Sequence, residues 1–361
     1  MSHQTVQGIM IDGNWVTNPH QVKTAFCDFY KDKFDISDSL TDLSIVTPLH
    51  TLNHNDNLEL EKNVSDDEIR LAVWDCGSQK APGPDGFSFL FLKTYWDLLK
   101  DDVVKAVRGV FDSCEMPKGT NSSFITLIPK IANPIHINDF RPISLIGMQY
   151  KIIAKVLANR LSKIIDKVVC KEQSAFISGR FILDGPLMLS EIMSWYKKKK
   201  RNLMLFKVDF EKAFDTVSWK FLDHMLSSLG FGNKWRKWIN VCLQYARASV
   251  LINGSPTSGF SIKRGLRQGD LLSPFLFIIV MEGLHIALQN AVSSGLIHGA
   301  SIGDSGYNIS HLFYADDVVI ISDWNRQDMI NIIHVLHVFY LASGLKINVS
   351  KSNVYDLGLN P

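Results

Sequence analysis

A chain of 361 residues is long enough for two or more subdomains around sizeable cores. Its 46% hydrophobic and 20% charged content excludes a disordered chain. A net charge of +2 gives no general attraction for polyanions, so any grip on nucleic acid must be concentrated in a groove.

Residues 1–60 read as a helical lead-in and linker, with the aromatic-rich piece Val22 to Phe34 followed by a polar stretch, Leu52 to Asn57. Met1 to Asn14 has neither the basic start nor the apolar block of a signal peptide. Residues 61–115 read as a helical segment interrupted by a Pro/Gly loop. Ser65-Asp66-Asp67-Glu68 is a capping box that opens a helix with Ile69, Ala72, Val73 and Cys76 on one face. Lys80 to Phe87 holds two prolines and two glycines and must be a loop. A helix from Phe89 to Phe111 follows.

Residues 116–361 alternate strands and helices. Phe124 to Ile128 reads as a strand, Gln149 to Val169 as a long amphipathic helix, and Leu203 to Val208 as a buried strand. Ser218 to Leu229 reads as a helix ended by Gly230, with Leu222, Met225, Leu226 and Leu229 inward. Ser249 to Ile252 turns at Asn253-Gly254 into a second strand ending near Lys263. The longest apolar stretch, Phe275 to Met281, is too short to span a bilayer, so no membrane partner is expected. The predicted class is α+β, an antiparallel sheet backed by helices.

The chemistry centres on Leu312 to Ile320, where Asp316-Asp317 falls at the tip of a hairpin between two apolar runs. Desolvated like charges need a cation. Asp209 ends the apolar strand Leu203 to Val208, and pairing of that strand with the hairpin brings it beside Asp316. Carboxylates grouped this way suit Mg²⁺, and two ions roughly 3.5–4 Å apart clamp the attacking and leaving oxygens of a phosphoryl displacement. Gly265 to Pro274 reads as a turn, then Ser273 as N-cap with Pro274 at the first helical position. Its glycines permit close backbone approach to a ligand. The basic run Lys197 to Arg201 fits a nuclear-targeting patch, a nucleic-acid contact or a solvated turn. The five cysteines, Cys27, Cys76, Cys114, Cys170 and Cys242, are scattered and odd in number. They argue for reduced thiols in an intracellular compartment. The histidines, His311 included, lack ligand spacing and read as packing or surface residues. No zinc site is expected.

From about Lys80 to Lys351 these motifs, in this order, resemble the reverse transcriptase domain of plant LINE-type (non-LTR) retrotransposons. The resemblance implies a right-hand polymerase with fingers and palm in residues 116–361. It implies extension of a primer 3′-hydroxyl by dNTPs on an RNA template, with a DNA primer or target and two Mg²⁺ (or Mn²⁺). Asp209 and Asp316 are then the metal ligands and Asp317 their support. Lys351, which matches better than Lys346, becomes the general acid for pyrophosphate. Phe214, five residues after Asp209, excludes the 2′-hydroxyl. Phe210 and Ala213 join it at the dNTP, Lys130 and Arg141 hold the triphosphate, and Gln268 makes a polar contact to the nucleotide. Gly269, Ser273, Pro274 and Tyr314 support template and primer, while Asp215 makes only local capping bonds. The family usually has proline where this chain has Leu271. Location in nucleus and cytoplasm is the family expectation. The rivals are another polymerase class, such as a group II intron-type enzyme or a viral RNA polymerase (which Phe214 opposes), and an inactive retroelement fragment that folds and binds nucleic acid. A primer-gripping segment, a helical thumb and an endonuclease domain are not found in the sequence, so weak extension by this chain alone is the expectation.

Overall fold

A computed structural model describes residues 5–35, 48, 50–303 and 307–358. The lead-in and linker expectation for 1–4, 36–47 and 49 lies outside the described residues. The chain forms two compact units, neither contiguous in sequence. The first takes Met1–Ser37, Leu58–Arg160 and Asn233–Ser273; the second takes Asp38–Asn57, Leu161–Gly232 and Pro274–Pro361.

In the first unit the capping box forms as its spacing requires. Ser65 Oγ accepts from Glu68 N–H at 3.2 Å and the Glu68 carboxylate accepts from Ser65 N–H, opening the helix Asp66–Asp75. Ile69, Ala72 and Val73 on its inner face are fully buried. The helix expected over Phe89 to Phe111 is instead two, Phe89–Thr94 and Trp96–Ser113. The break at Tyr95 lets both pieces pack against Asp66–Asp75. The helix expected over Gln149 to Val169 stops at Leu161, after which Ile165–Lys167 is a short 3-10 turn. Ile164, Ile165 and Val168 remain buried there, so the apolar periodicity outlasts the helix.

The sheet of this unit runs Phe140–Ile146, Ser122–Pro129, Arg247–Ile252. The first pair is antiparallel and the second parallel, which corrects the wholly antiparallel expectation. A long crossover separates the parallel pair in sequence, the connection that geometry demands. Asn253 and Gly254 turn the chain at positive φ. The return strand comes back as two short pieces, Ser255–Pro256 and Phe260–Ser261.

The second unit is built on a four-stranded antiparallel sheet in the order His311–Tyr314, Asp317–Asp323, Leu203–Val208, Asn353–Leu357. Leu203 and Leu205 pack with Ile321, Leu312, Ile192 and Tyr196, under the helix Asp184–Lys199. Met204, Phe206 and Val208 point to the other face and are buried too. A central strand covered on both faces explains an apolar run without alternation. The helix Trp219–Ser228 starts at its N-cap Ser218 and buries Leu222, Met225 and Leu226, as its spacing implies.

The apolar run Phe275 to Met281 proves to be part of a 21-residue helix, Ser273–Ser293. By length and composition this helix is able to cross a membrane, against the expectation from the run alone, yet 72% of its most apolar window is buried inside the protein. Burial of that extent is the signature of a core helix.

Candidate active site

The register of the second unit's sheet brings the acidic residues to one end. Val318 lies opposite Val208, and Tyr314 lies opposite Asp317 across the hairpin. Asp209 and Asp317 are each one residue beyond the Val208–Val318 pair. Strand alternation therefore sends both side chains to the same face of the sheet. Asp316 shares the turn with Ala315, whose φ is +53°. The turn therefore lies at Ala315-Asp316, and Asp317 is the first residue of the returning strand. The hairpin arms are buried, but Asp316 and Asp317 are exposed and Asp209 is half-buried. The premise of two desolvated carboxylates is thereby corrected: water reaches the turn.

Two devices hold this end of the sheet. The first is the loop Asn348 to Ser352. Asn348 N–H donates to the Asp209 carbonyl at 2.8 Å, and Asp209 N–H donates to Ser352 Oγ at 3.0 Å. Lys351, exposed, sits in this loop next to Ser352. Lys346 lies 3.8 Å from Glu211 instead. The second device is a segment that sequence reasoning missed, Glu172 to Ser174. It runs along the outer hairpin strand, with Phe313 N–H donating to the Glu172 carbonyl at 2.9 Å and Ser174 N–H to the Phe313 carbonyl at 3.0 Å. The buried Gln173 amide oxygen accepts from Ala315 N–H at 2.9 Å, directly before Asp316. Only an unpaired strand edge, invisible without pairing partners, signals this contact.

Phe214 is half-buried and stacks on Phe277 with ring centroids 4.5 Å apart. Phe210 and Ala213 are buried, and the Phe210 ring meets Phe339 edge-on at 6.5 Å. These two therefore turn their side chains into the core and leave backbone for any ligand. Asp215 is buried within the short helix Ala213–Thr216, whereas Ser218 is the side chain that caps the next helix. Tyr314 is 39% exposed beside the turn.

The remaining expected residues belong to the first unit, except Pro274, with which the last segment of the second begins. Ile128 and Arg141 are register partners, and both are exposed. Lys130 Nζ donates to the Asn138 carbonyl at 2.9 Å, within its own connection. Gln268 offers its carbonyl to Ser144 N–H at 2.8 Å. The close approach that Gly269 permits is to protein: at its φ of +98°, a Cβ would stand 3.1 Å from the Ser144 carbonyl oxygen. Ser273, expected as an N-cap, is the first residue of its helix, with Pro274 next. Asp270, which accepts from Leu272 N–H at 3.0 Å, ties down the chain before it.

A second cluster gathers histidines and acids that look scattered in sequence. His285 Nδ1 and His311 Nε2 lie 2.7 Å apart, and His311 Nδ1 lies 2.8 Å from Ser310 Oγ. The Glu282 carboxylate accepts from Cys170 N–H at 2.9 Å, and Glu172 lies 3.9 Å from His285 Nδ1. Burial pushes the Glu282 carboxyl up to about 7 and pushes the His311 imidazole well down.

Comparison with known proteins bears on the chain as a whole. Residues 128–358 match the family described as reverse transcriptase (RNA-dependent DNA polymerase). A Transposon TX1 uncharacterized 149 kDa protein of Xenopus laevis is 26% identical over 95% of this chain and 26% of its own length. A Pol polyprotein from the type-1 retrotransposable element R2 of Popillia japonica is 28% identical over 80% of this chain and 39% of its own length. An uncharacterized mitochondrial protein of Arabidopsis thaliana is 34% identical over 31% of this chain and 90% of its own length. The chain thus spans only about a quarter to two-fifths of the two retroelement relatives. With nearly two-thirds of its length matched, and with relatives from non-LTR retrotransposons, the chain belongs to the reverse transcriptase family.

Proposed function

We propose that this chain carries RNA-directed DNA polymerase activity of a non-LTR retroelement, extending a primer 3′-hydroxyl with dNTPs on an RNA template. The observation that carries the reading is the register just described, which brings Asp209 and Asp317 to one face beside the Asp316 turn. The donor set there is all oxygen and open to water, the chemistry that hard Mg²⁺ ions require. Asp209 and Asp316 would hold the ions, with Asp317 in support. When bound, Mg²⁺ stabilises the charge on the reacting phosphate oxygens.

The protein's own part is positioning. The Asn348 to Ser352 loop and Gln173 fix the backbone on both sides of the acids. Lys351, carried by that loop, is assigned the proton transfer to the leaving pyrophosphate. The Phe214 ring, backed by Phe277, is assigned the exclusion of a ribose 2′-hydroxyl. In the first unit, Arg141 and Lys130 are assigned to the triphosphate. Lys130 must release the Asn138 carbonyl to act there. Gln268 is assigned the polar contact, and Gly269, Ser273, Pro274 and Tyr314 support of template and primer. We further assign the chain to nucleus and cytoplasm.

The test is primer extension on an RNA template with dNTPs and Mg²⁺. Asp209→Asn is expected to abolish extension, roughly 10³-fold or more given the charge stabilisation at stake, while leaving thermal unfolding nearly unchanged. Extension that survives Asp209→Asn, or that proceeds in excess chelator, sinks the proposal.

A further inference from the structure

The buried cluster in the second unit is unlike the open acidic turn. Three elements meet there: the segment with Cys170 and Glu172, the core helix Ser273–Ser293, and the hairpin strand that begins with His311. The core helix is apolar on nearly every face, yet it carries Glu282 and His285 three residues apart. That spacing puts both on one side of the helix, the Glu-x-x-His arrangement by which helices present a carboxylate and an imidazole to one ion.

One ligand atom from each of Cys170, Glu282 and His285 lies within 4.8 Å of the other two. The same holds for Glu172, His285 and His311. Glu282, His285 and His311 are at most 7% exposed. A carboxylate so buried is costly without a compensating positive charge. Its hydrogen-bond partner is Cys170, whose N–H it accepts. Thiolate, imidazole and carboxylate together are the donors of zinc, and Mg²⁺ has no use for sulfur.

We propose that Cys170, Glu282 and His285 bind one Zn²⁺, with His311 fixing the His285 ring. The 2.7 Å contact from His311 to His285 Nδ1 is the kind of outer contact that orients a ligating imidazole. Binding converts the Cys170 thiol to thiolate and releases its proton to solvent; no redox change is involved. The ion ties the core helix to the Cys170 segment, and the His311 contact extends the tie to the strand that runs to the Asp316 turn. The site is structural, with donors distinct from those of the proposed Mg²⁺ site.

The experiment uses the whole chain, purified in reductant without chelator. Elemental analysis should find one equivalent of zinc per chain. After stripping, titration with Co²⁺ should give one equivalent of a thiolate-to-cobalt charge-transfer band, and re-added Zn²⁺ should raise the melting temperature in proportion to the logarithm of its concentration. Cys170→Ala should abolish the cobalt band, and His285→Gln should lower zinc affinity at least tenfold. Asp209→Asn should keep the full equivalent. Wild-type protein that folds without zinc, gives no thiolate–cobalt band and melts at the same temperature with or without Zn²⁺ overturns the proposal, whatever the variants do. Zinc retained at full stoichiometry by Cys170→Ala and His285→Gln overturns it as well.

Discussion

Asp270 and Arg267 stand in the middle of the Gly265 to Pro274 segment, and the structure gives them an internal role that a polar loop does not advertise. Asp270 accepts from the Tyr150 hydroxyl at 2.7 Å and from Arg267 at 3.1 Å. Arg267 also lies over the Tyr150 ring at 4.3 Å. The two charged side chains are only 5% and 4% exposed. Burial and the Asp270 carboxylate together raise the Tyr150 hydroxyl far above its ordinary range, so it stays a donor. A buried pair contributes little net stability against apolar residues of the same size, but losing one partner strands a charge. Asp270→Ala is therefore expected to cost about 3–5 kcal/mol. The double replacement Arg267→Met with Asp270→Leu should recover much of that loss. Urea unfolding of the three proteins decides it, and a double variant no more stable than Asp270→Ala would refute the argument.

At the scale of elements, the Lys80 to Phe87 loop is more than a connector. A Cβ added to Gly83 would stand 2.3 Å from the Ile146 carbonyl carbon and 2.4 Å from Gly147 N, backbone atoms that cannot step aside. Asp85 accepts from Met148 N–H and so satisfies the first turn of the helix Met148–Leu161. Asp85→Ala should lose about 1 kcal/mol, the usual worth of such a cap. Gly83→Ala should cost about 1–3 kcal/mol or more through forced displacement. Thermal unfolding checks the order: if the glycine variant is the milder of the two, the close packing is not rigid. The sequence alone marks this stretch as a loop because prolines and glycines act locally. The same locality makes the Ser65–Glu68 box, the Ser218 cap and the apolar strand before Asp209 legible. The client helix of Asp85 lies far along the chain and leaves no local trace. Gln173 against Ala315, the parallel strand pair and the Cys170–Glu282–His285 grouping are unreadable for that reason too. Each exists only after distant segments meet. The helix break at Tyr95 failed differently, because apolar periodicity continues through it and only the packing against Asp66–Asp75 selects two short helices over one.

For the whole molecule, charge decides how a polyanion must be held. With 38 basic and 36 acidic side chains, the net charge gives little field at long range. Screening at physiological salt, over a Debye length of about 8 Å, weakens it further. Under the proposed function, binding of primer and template must then rest on individual Lys and Arg contacts to phosphate. Part of the obvious basic run is already committed. Arg201 pairs with Asp323 at 2.6 Å and lies over Tyr196 at 4.8 Å, while Lys197 to Lys199 end the helix Asp184–Lys199, where cations suit the helix dipole. Each phosphate contact releases a counterion, so affinity should fall linearly on a log–log plot against salt, with a slope near −0.9 per contact for duplex DNA. Weak long-range steering predicts, in addition, that the association rate changes little over the same range. Fluorescence anisotropy of a labelled primer–template, with stopped-flow mixing across a salt series, measures both. A steep affinity slope carried mainly by dissociation is the expected result. Affinity that ignores salt would mean that phosphate contacts are not the grip, and a steeply salt-dependent association rate would mean that the near balance of charges conceals a strongly polarised surface.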